Sequence, residues 1–280
     1  MKSFKSIRNR IDSIGKTKQI TKSMRLVSYA KAQKNRVLYD QTESYSIANR
    51  SLIDMISTHE ESKKSIYFHS KQEKSAIIAI STDRGLCSGY NTRIAKETME
   101  QIKRKSNPLV ITVGNKIVES LSRENIKIDT KFIGFSESPI YEEAKLIADV
   151  VIEYYRQQKI DEVIIIYTEF NSMIEQHTVS QTLLPYETKN TEKKRNQWSC
   201  DSGYQALLDK IVPDYLTSRI YRAVVEAALS EQSIRVSSMD AASKNSDEMI
   251  ETLTLKYNQA RQSSITSEIT EIINGSNAVD

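Results

Sequence analysis

Few residues in this 280-residue chain are spaced for chemistry, and each candidate fails on its surroundings. Gly15-Lys16-Thr17 resembles the end of a phosphate-binding loop. That motif needs a glycine five residues before Gly15, where Arg10 stands, and a strand in front of it, where the pattern is helical. Gly85 to Gly89 (GLCSG) does follow an apolar run. It lacks the G-x-G-x-x-G spacing that brings backbone close to a pyrophosphate. His59, His69 and His177 are scattered and form no i, i+4 ligand pair. Cys87 has no histidine near it in sequence and reads as a small buried thiol. Glu142-Glu143 and Asp247-Glu248 fall on helical stretches and read as solvated faces. No nucleophile, base and oxyanion site assembles, so the expected roles exclude catalysis, metal and cofactor.

The elements that would position a site are unusual in their punctuation. The chain has 7 Gly and 4 Pro, too few turns for an all-β sandwich or barrel. Neither residue occurs between Gly15 and Gly85, or between Pro213 and Gly275. The second gap alone allows a helix of about 90 Å, a length that needs a partner alongside. Ile7, Ile11 and Ile14, then Ile20, Met24 and Val27 on a shifted face, offer one seam. Ala223, Ala227, Ser230, Ile234 and Ser237, followed by Met249, Leu253 and Ala260, offer the other. Lys18, Arg25 and Lys31 interrupt any single register, which leaves surface for something outside the pair.

Between the arms the period changes. Ala76–Ile80, Leu109–Val113, Lys131–Ile133 and Val163–Tyr167 read as buried strands, with helices near 92–104, 115–124 and 140–157 and an edge strand within Ile174–Leu184. The fold class is α/β: a long antiparallel helical hairpin from both termini with an inserted Rossmann-like domain. The expected divisions are a first helix over 1–58, the α/β domain over 74–186, a connecting loop or foot over 187–206 and a second helix over 207–276.

Two cysteines far apart, Cys87 and Cys200, give no disulfide framework. No apolar run reaches the length of a membrane span and MKSFKSIRNR is not a secretory signal, so a soluble intracellular protein is expected. Residues 1–36 hold eleven Lys/Arg and one acid, whereas 214–280 hold six basic and ten acidic residues. Attraction between the two helices accounts for part of this. A surplus facing an outside acidic surface, nucleic acid or protein, accounts for the rest. A coiled-coil nucleic-acid binder and a Rossmann-like enzyme are the rival readings. Aromatics do not interleave with the basic residues as base stacking wants, and the phosphate loop is missing.

Longer motifs identify a family. Ile7–Ile11 (IRNRI), Gln19–Met24 (QITKSM) and Val27–Lys31 (VSYAK) resemble the N-terminal helix of the γ subunits of F-type ATP synthases. Ser81–Asn91 (STDRGLCSGYN) resembles the family's central signature. Leu229–Gln232 (LSEQ), Met239–Asn245 (MDAASKN) and Tyr257–Ile272 (YNQARQSSITSEITEI) resemble its C-terminal helix, so the likeness spans nearly the whole chain.

The resemblance implies a non-catalytic rotor shaft. Its upper part stands within a hexamer of α and β subunits, and its foot rests on the membrane c-ring and the ε subunit. Rotation of the ring would bias each β site in turn, for ATP synthesis or for hydrolysis-driven ion pumping. By the same resemblance Lys22, Met24, Arg25 and Arg235 face a β subunit, as do Arg261, Gln262, Thr266 and Glu268. Asp201 and Tyr204 belong to the foot, and Asp83, Arg84, Gly85, Gly89 and Asn91 hold the turn after the first strand. The chain departs from the family at Ser88, where glycine is usual, and at Asp201-Ser202, where Glu-Pro is common. The chloroplast redox insertion is absent. The implied location is peripheral, on the cytoplasmic face of a bacterial plasma membrane.

Overall fold

The structure, a computed structural model, describes residues 4–59, 62–69, 73–135, 138–173, 175–187 and 203–277. Its elements run α1 (Phe4–Ser57), a 3-10 turn (Ser62–Lys64), β1 (Ser75–Ile80), α2 (Tyr90–Arg104), β2 (Leu109–Val113), α3 (Asn115–Arg123), β3 (Thr130–Phe132), α4 (Tyr141–Arg156), β4 (Glu162–Phe170), β5 (Gln176–Leu184) and α5 (Tyr204–Asn277). Two compact units result: Met1–Ser28 with Val236–Asp280, and Tyr29–Arg235. Both long helices contribute to both units. The division between these units therefore falls within the two long helices.

In the larger unit the sheet order is β3-β2-β1-β4-β5, with the first four strands parallel and β5 antiparallel at the edge. Alternation along each strand feeds two cores. Ala76, Ile78, Ile80, Ile111, Val113, Val163 and Ile165 face α4 together with Ile53 and Ile56 of α1 and Leu208, Val212, Leu216 and Ile220 of α5. Ile77, Ala79, Val110, Ile164 and Ile166 face Tyr90 and Ile94 of α2 and Ile117 and Leu121 of α3. Each Val, Leu or Ile among them contributes about 1.5–3 kcal/mol by leaving water. This explains why the strands read as continuous apolar runs.

The last helix begins at Tyr204, so three residues assigned to the loop are already helical, and Pro213 lies inside the helix. Burial of Leu208, Val212 and Leu216 on the sheet carries the helix through the proline. The smaller unit corrects the seam. On α1 the less exposed residues include Ile7, Ile11, Ile14, Lys18, Thr21, Arg25 and Ser28, which step by four and three, with Gly15 and Met24 beside that line also half-buried. On α5 they include Met239, Ser243, Ser246, Ile250, Leu253, Tyr257 and Ala260, with the same steps, and Asp240 and Ala242 beside them. Ile20 and Val27, expected in the seam, are 60% and 58% exposed, and Met249 and Ser237 also face out. Regular helical geometry outweighs local hydrophobicity here: the apolar residues off the seven-residue spacing rotate outward.

Candidate partner-binding surface

Polar groups line the middle of this seam. Lys18 forms an ion pair with Asp247, the Thr21 and Ser243 hydroxyls lie 2.9 Å apart, and Arg25 Nη1 donates to Asp240 Oδ1 at 3.3 Å. Phe4 meets Tyr257 edge-on with ring centroids 6.1 Å apart. Partner numbers fall as α1 residues rise, so the two helices run antiparallel. Lys244 also reaches Asp240, at 3.0 Å, and its hydrogen bond and charge hold that carboxyl below its ordinary value, with Arg25 adding to the effect. These pairs are partly exposed, so they add little stability and act on the register of the two helices.

The outer face is the reverse. Ile20, Leu26, Val27, Met249, Leu255, Ile265 and Ile269 are all between 44% and 62% exposed. Lys22 is exposed beside them, Met24 is half-buried, and Arg25 divides itself between Asp240 and solvent. Arg261, Gln262, Thr266 and Glu268 are exposed on α5, past the point where Phe4 opens α1 among the described residues. The Thr266 hydroxyl donates to the Gln262 carbonyl at 2.9 Å, so it is occupied within its own helix. Roughly 30 Å of helix separates this group from the level of Lys22–Arg25, at 1.5 Å per residue. These are two stations along one surface, and no single site gathers them.

Arg235, assigned by resemblance to a β subunit, turns inward. It is 6% exposed, its Nη2 lies 2.6 Å from Glu231 Oε1, and Nε and Nη2 donate to the Gly85 carbonyl at 3.2 and 3.0 Å. The chain's own turn takes the guanidinium, because a buried cation needs a carboxylate and full hydrogen bonding.

That turn is knit by side chains. Thr82 N–H donates to Asn91 Oδ1 at 3.3 Å, and the Thr82 hydroxyl donates to the Arg84 carbonyl at 2.5 Å. Asp83 Oδ1 accepts the N–H groups of Asn115 and Gly134, both at 3.0 Å. A carboxylate of this chain thus satisfies a backbone N–H at the start of α3. Left-handed backbone falls on Leu86 (φ 63°) and Ser88 (φ 52°), not on Gly85 or Gly89, so Ser88 does carry its Cβ in the strained region. Burial, aided by Glu231, raises the Cys87 thiol above its ordinary value against the lowering pull of Arg235 and nearby hydrogen bonds, which makes it a poor nucleophile.

Tyr204, expected in the foot, stacks on His59 with centroids 4.5 Å apart, and its hydroxyl lies 3.1 Å from His59 Nδ1. Asp201 lies outside the described residues. Two kinds of residue escaped the sequence reading. Lys18, Thr21 and Arg25 as seam members were signalled by the seven-residue spacing once polar side chains are admitted to it. Gly114 was signalled by its place between an apolar strand and a helix. At φ 93° it leaves no room for a side chain: an added Cβ would meet the Ser81 carbonyl oxygen at 2.6 Å.

Comparison with known proteins points one way. The family model described as ATP synthase matches residues 3–279. The ATP synthase gamma chain of Desulforamulus reducens is 32% identical, with 100% of each chain covered. The sodium-ion-specific ATP synthase gamma chain of Acetobacterium woodii is 34% identical, with 98% of each covered. Among solved structures, a rotor chain of the Euglena gracilis mitochondrial ATP synthase aligns with a TM-score of 0.71 at 17% identity, covering 94% of this chain and 98% of that one. At that identity the likeness speaks for the fold alone. The sequence matches, a third identical and running end to end, carry the assignment: this chain belongs to the ATP synthase gamma-chain family.

Proposed function

We propose that this chain is the central rotary shaft of an F-type ATP synthase, a non-catalytic subunit that carries rotation of a membrane c-ring to β subunits holding the nucleotide sites. The supporting observation is the inversion in the smaller unit, where Lys18, Thr21 and Arg25 face the seam and Ile20, Leu26 and Val27 face outward. The middle of such a helix pair gains little from its own seam. Its exposed apolar residues have their use in a sleeve of other proteins. A rotating shaft also needs sparse, adaptable contacts that differ among three β subunits at once, because a site responds only to a difference in contact energy. Lys22 and Met24 form one contact station, and Arg261, Gln262 and Glu268 form another.

The complex is membrane-associated, although no helix of the described residues is long and apolar enough to cross a membrane. We place the chain on the cytoplasmic face of a bacterial plasma membrane, joined to the c-ring and ε through its foot. The test is an image of the assembled complex together with a pull-down by purified α and β subunits. The chain is expected on the axis of the hexamer. Failure to bind α and β, with retention on DNA at moderate salt, would replace the rotor reading with the nucleic-acid one.

A further inference from the structure

Pro213, the tenth residue of α5, interrupts the hydrogen-bond ladder of the helix. Its nitrogen carries no proton, so the Asp209 carbonyl, four residues earlier, loses its helical donor. Arg156, the last residue of α4, fills the gap: its Nη2 donates to the Asp209 carbonyl at 2.6 Å. The guanidinium is held from behind. Arg156 Nε lies 3.4 Å from the Tyr67 hydroxyl, and that hydroxyl donates to Asp209 Oδ1 at 2.8 Å. Tyr67 is fully buried and stacks on Tyr155 with centroids 5.8 Å apart, while the Tyr155 hydroxyl donates to the Ile66 carbonyl at 3.0 Å. A side chain from the inserted domain thus replaces a missing backbone N–H in the long helix. Being charged, it forms a stronger bond than the one that was lost.

We propose that Arg156 is a positioning residue for torque: it splints α5 at Pro213 and ties the helix to α4, so that twist entering below the proline reaches the rest of α5. The torque role rests on the rotor reading above, whereas the splint stands on the geometry alone. The consequence is specific. Arg156 matters only because Pro213 is a proline. In a Pro213→Ala chain the residue 213 N–H returns to the Asp209 carbonyl and the guanidinium becomes dispensable.

Hydrogen exchange on the full-length chain tests the splint without reference to rotation. Arg156→Ala is expected to speed amide exchange across residues 209–217 by about three- to tenfold, the range of one charge-assisted bond at a partly exposed site. Arg156→Lys is expected to fall between the two. In the Pro213→Ala background the Arg156→Ala effect is expected to shrink below about twofold. Equal acceleration in both backgrounds, or none in either, overturns the splint. In the assembled complex, Arg156→Ala is expected to widen the torsional fluctuations of the shaft and Pro213→Ala to restore them. Rescue in exchange without a torsional change overturns the torque role and leaves the splint. A wild-type chain that never joins α and β overturns the rotor reading and leaves the exchange result standing.

Discussion

Replacing Arg235 by alanine tests whether this residue serves the chain or a partner. In the structure the guanidinium neutralises Glu231, which is 1% exposed, and bridges to the Gly85 carbonyl through two donors. Truncation leaves the carboxylate without that cation and the carbonyl without those donors. Losing one side of a buried pair costs about 3–5 kcal/mol. The lower figure applies here, because the turn can relax and admit water to Gly85. We expect a loss of about 3 kcal/mol in urea denaturation of the full chain followed by circular dichroism. Faster hydrogen exchange should concentrate in residues 82–91. Arg235→Ala combined with Glu231→Gln should be less damaging than the two losses added, with a coupling of at least about 1 kcal/mol. Arg235→Lys should be intermediate, since one ammonium cannot span both acceptors. A stability change under about 1 kcal/mol, joined to weakened binding of α and β subunits, would refute the reasoning and return Arg235 to the partner surface.

Three further outcomes are expected. Gly114→Ala combines a left-handed φ of 93° with a Cβ 2.6 Å from the Ser81 carbonyl oxygen, and should lower stability by about 3 kcal/mol or more; an unchanged melting temperature would show that the β2–α3 turn yields. Thr21→Cys with Ser243→Cys, in a chain with Cys200 replaced by serine, should form a disulfide on mild oxidation, because the native hydroxyls lie 2.9 Å apart, whereas Ile20→Cys with Ser243→Cys should not. Glu226 is buried, and burial raises its carboxyl from the ordinary 4.5 despite the Phe170 N–H donated to it at 2.9 Å and the nearby Arg222. The folded state therefore holds this proton more tightly than the unfolded one. Its contribution to stability is complete below about pH 4.5 and is lost as pH rises through the higher folded value. Glu226→Gln should flatten that part of the stability–pH curve, and an unaltered curve would remove Glu226 as its source.

Strands β1, β2 and β4 and the three short helices were legible in the sequence, because buried parallel strands are apolar on both faces and their helices follow in order. Lys131–Ile133, read as a buried strand, is instead the edge strand β3 (Thr130–Phe132), with Lys131 exposed and Ile133 beyond its end. Gly- and Pro-poor arms likewise announced long helices, since nothing in them could end one. The seam was misread where the signal used was hydrophobicity. Ile20, Val27 and Met249 are apolar for the sake of an outer surface, while Lys18, Thr21 and Arg25 occupy the interface. Whether a side chain faces a neighbouring helix or solvent depends on the phase of the whole helix pair, which no local window contains.

Arg235 and Arg156 make the same point. Their charge and helical setting were plain in the sequence, but each acts on a carbonyl far along the chain, Gly85 in one case and Asp209 in the other. Local spacing decided which elements form. Only the tertiary structure decided which charges are consumed inside the molecule and which remain for partners. Burial and hydrogen-bond satisfaction are settled by residues distant in sequence, and it is these that turn a basic residue into a brace or leave it as a contact.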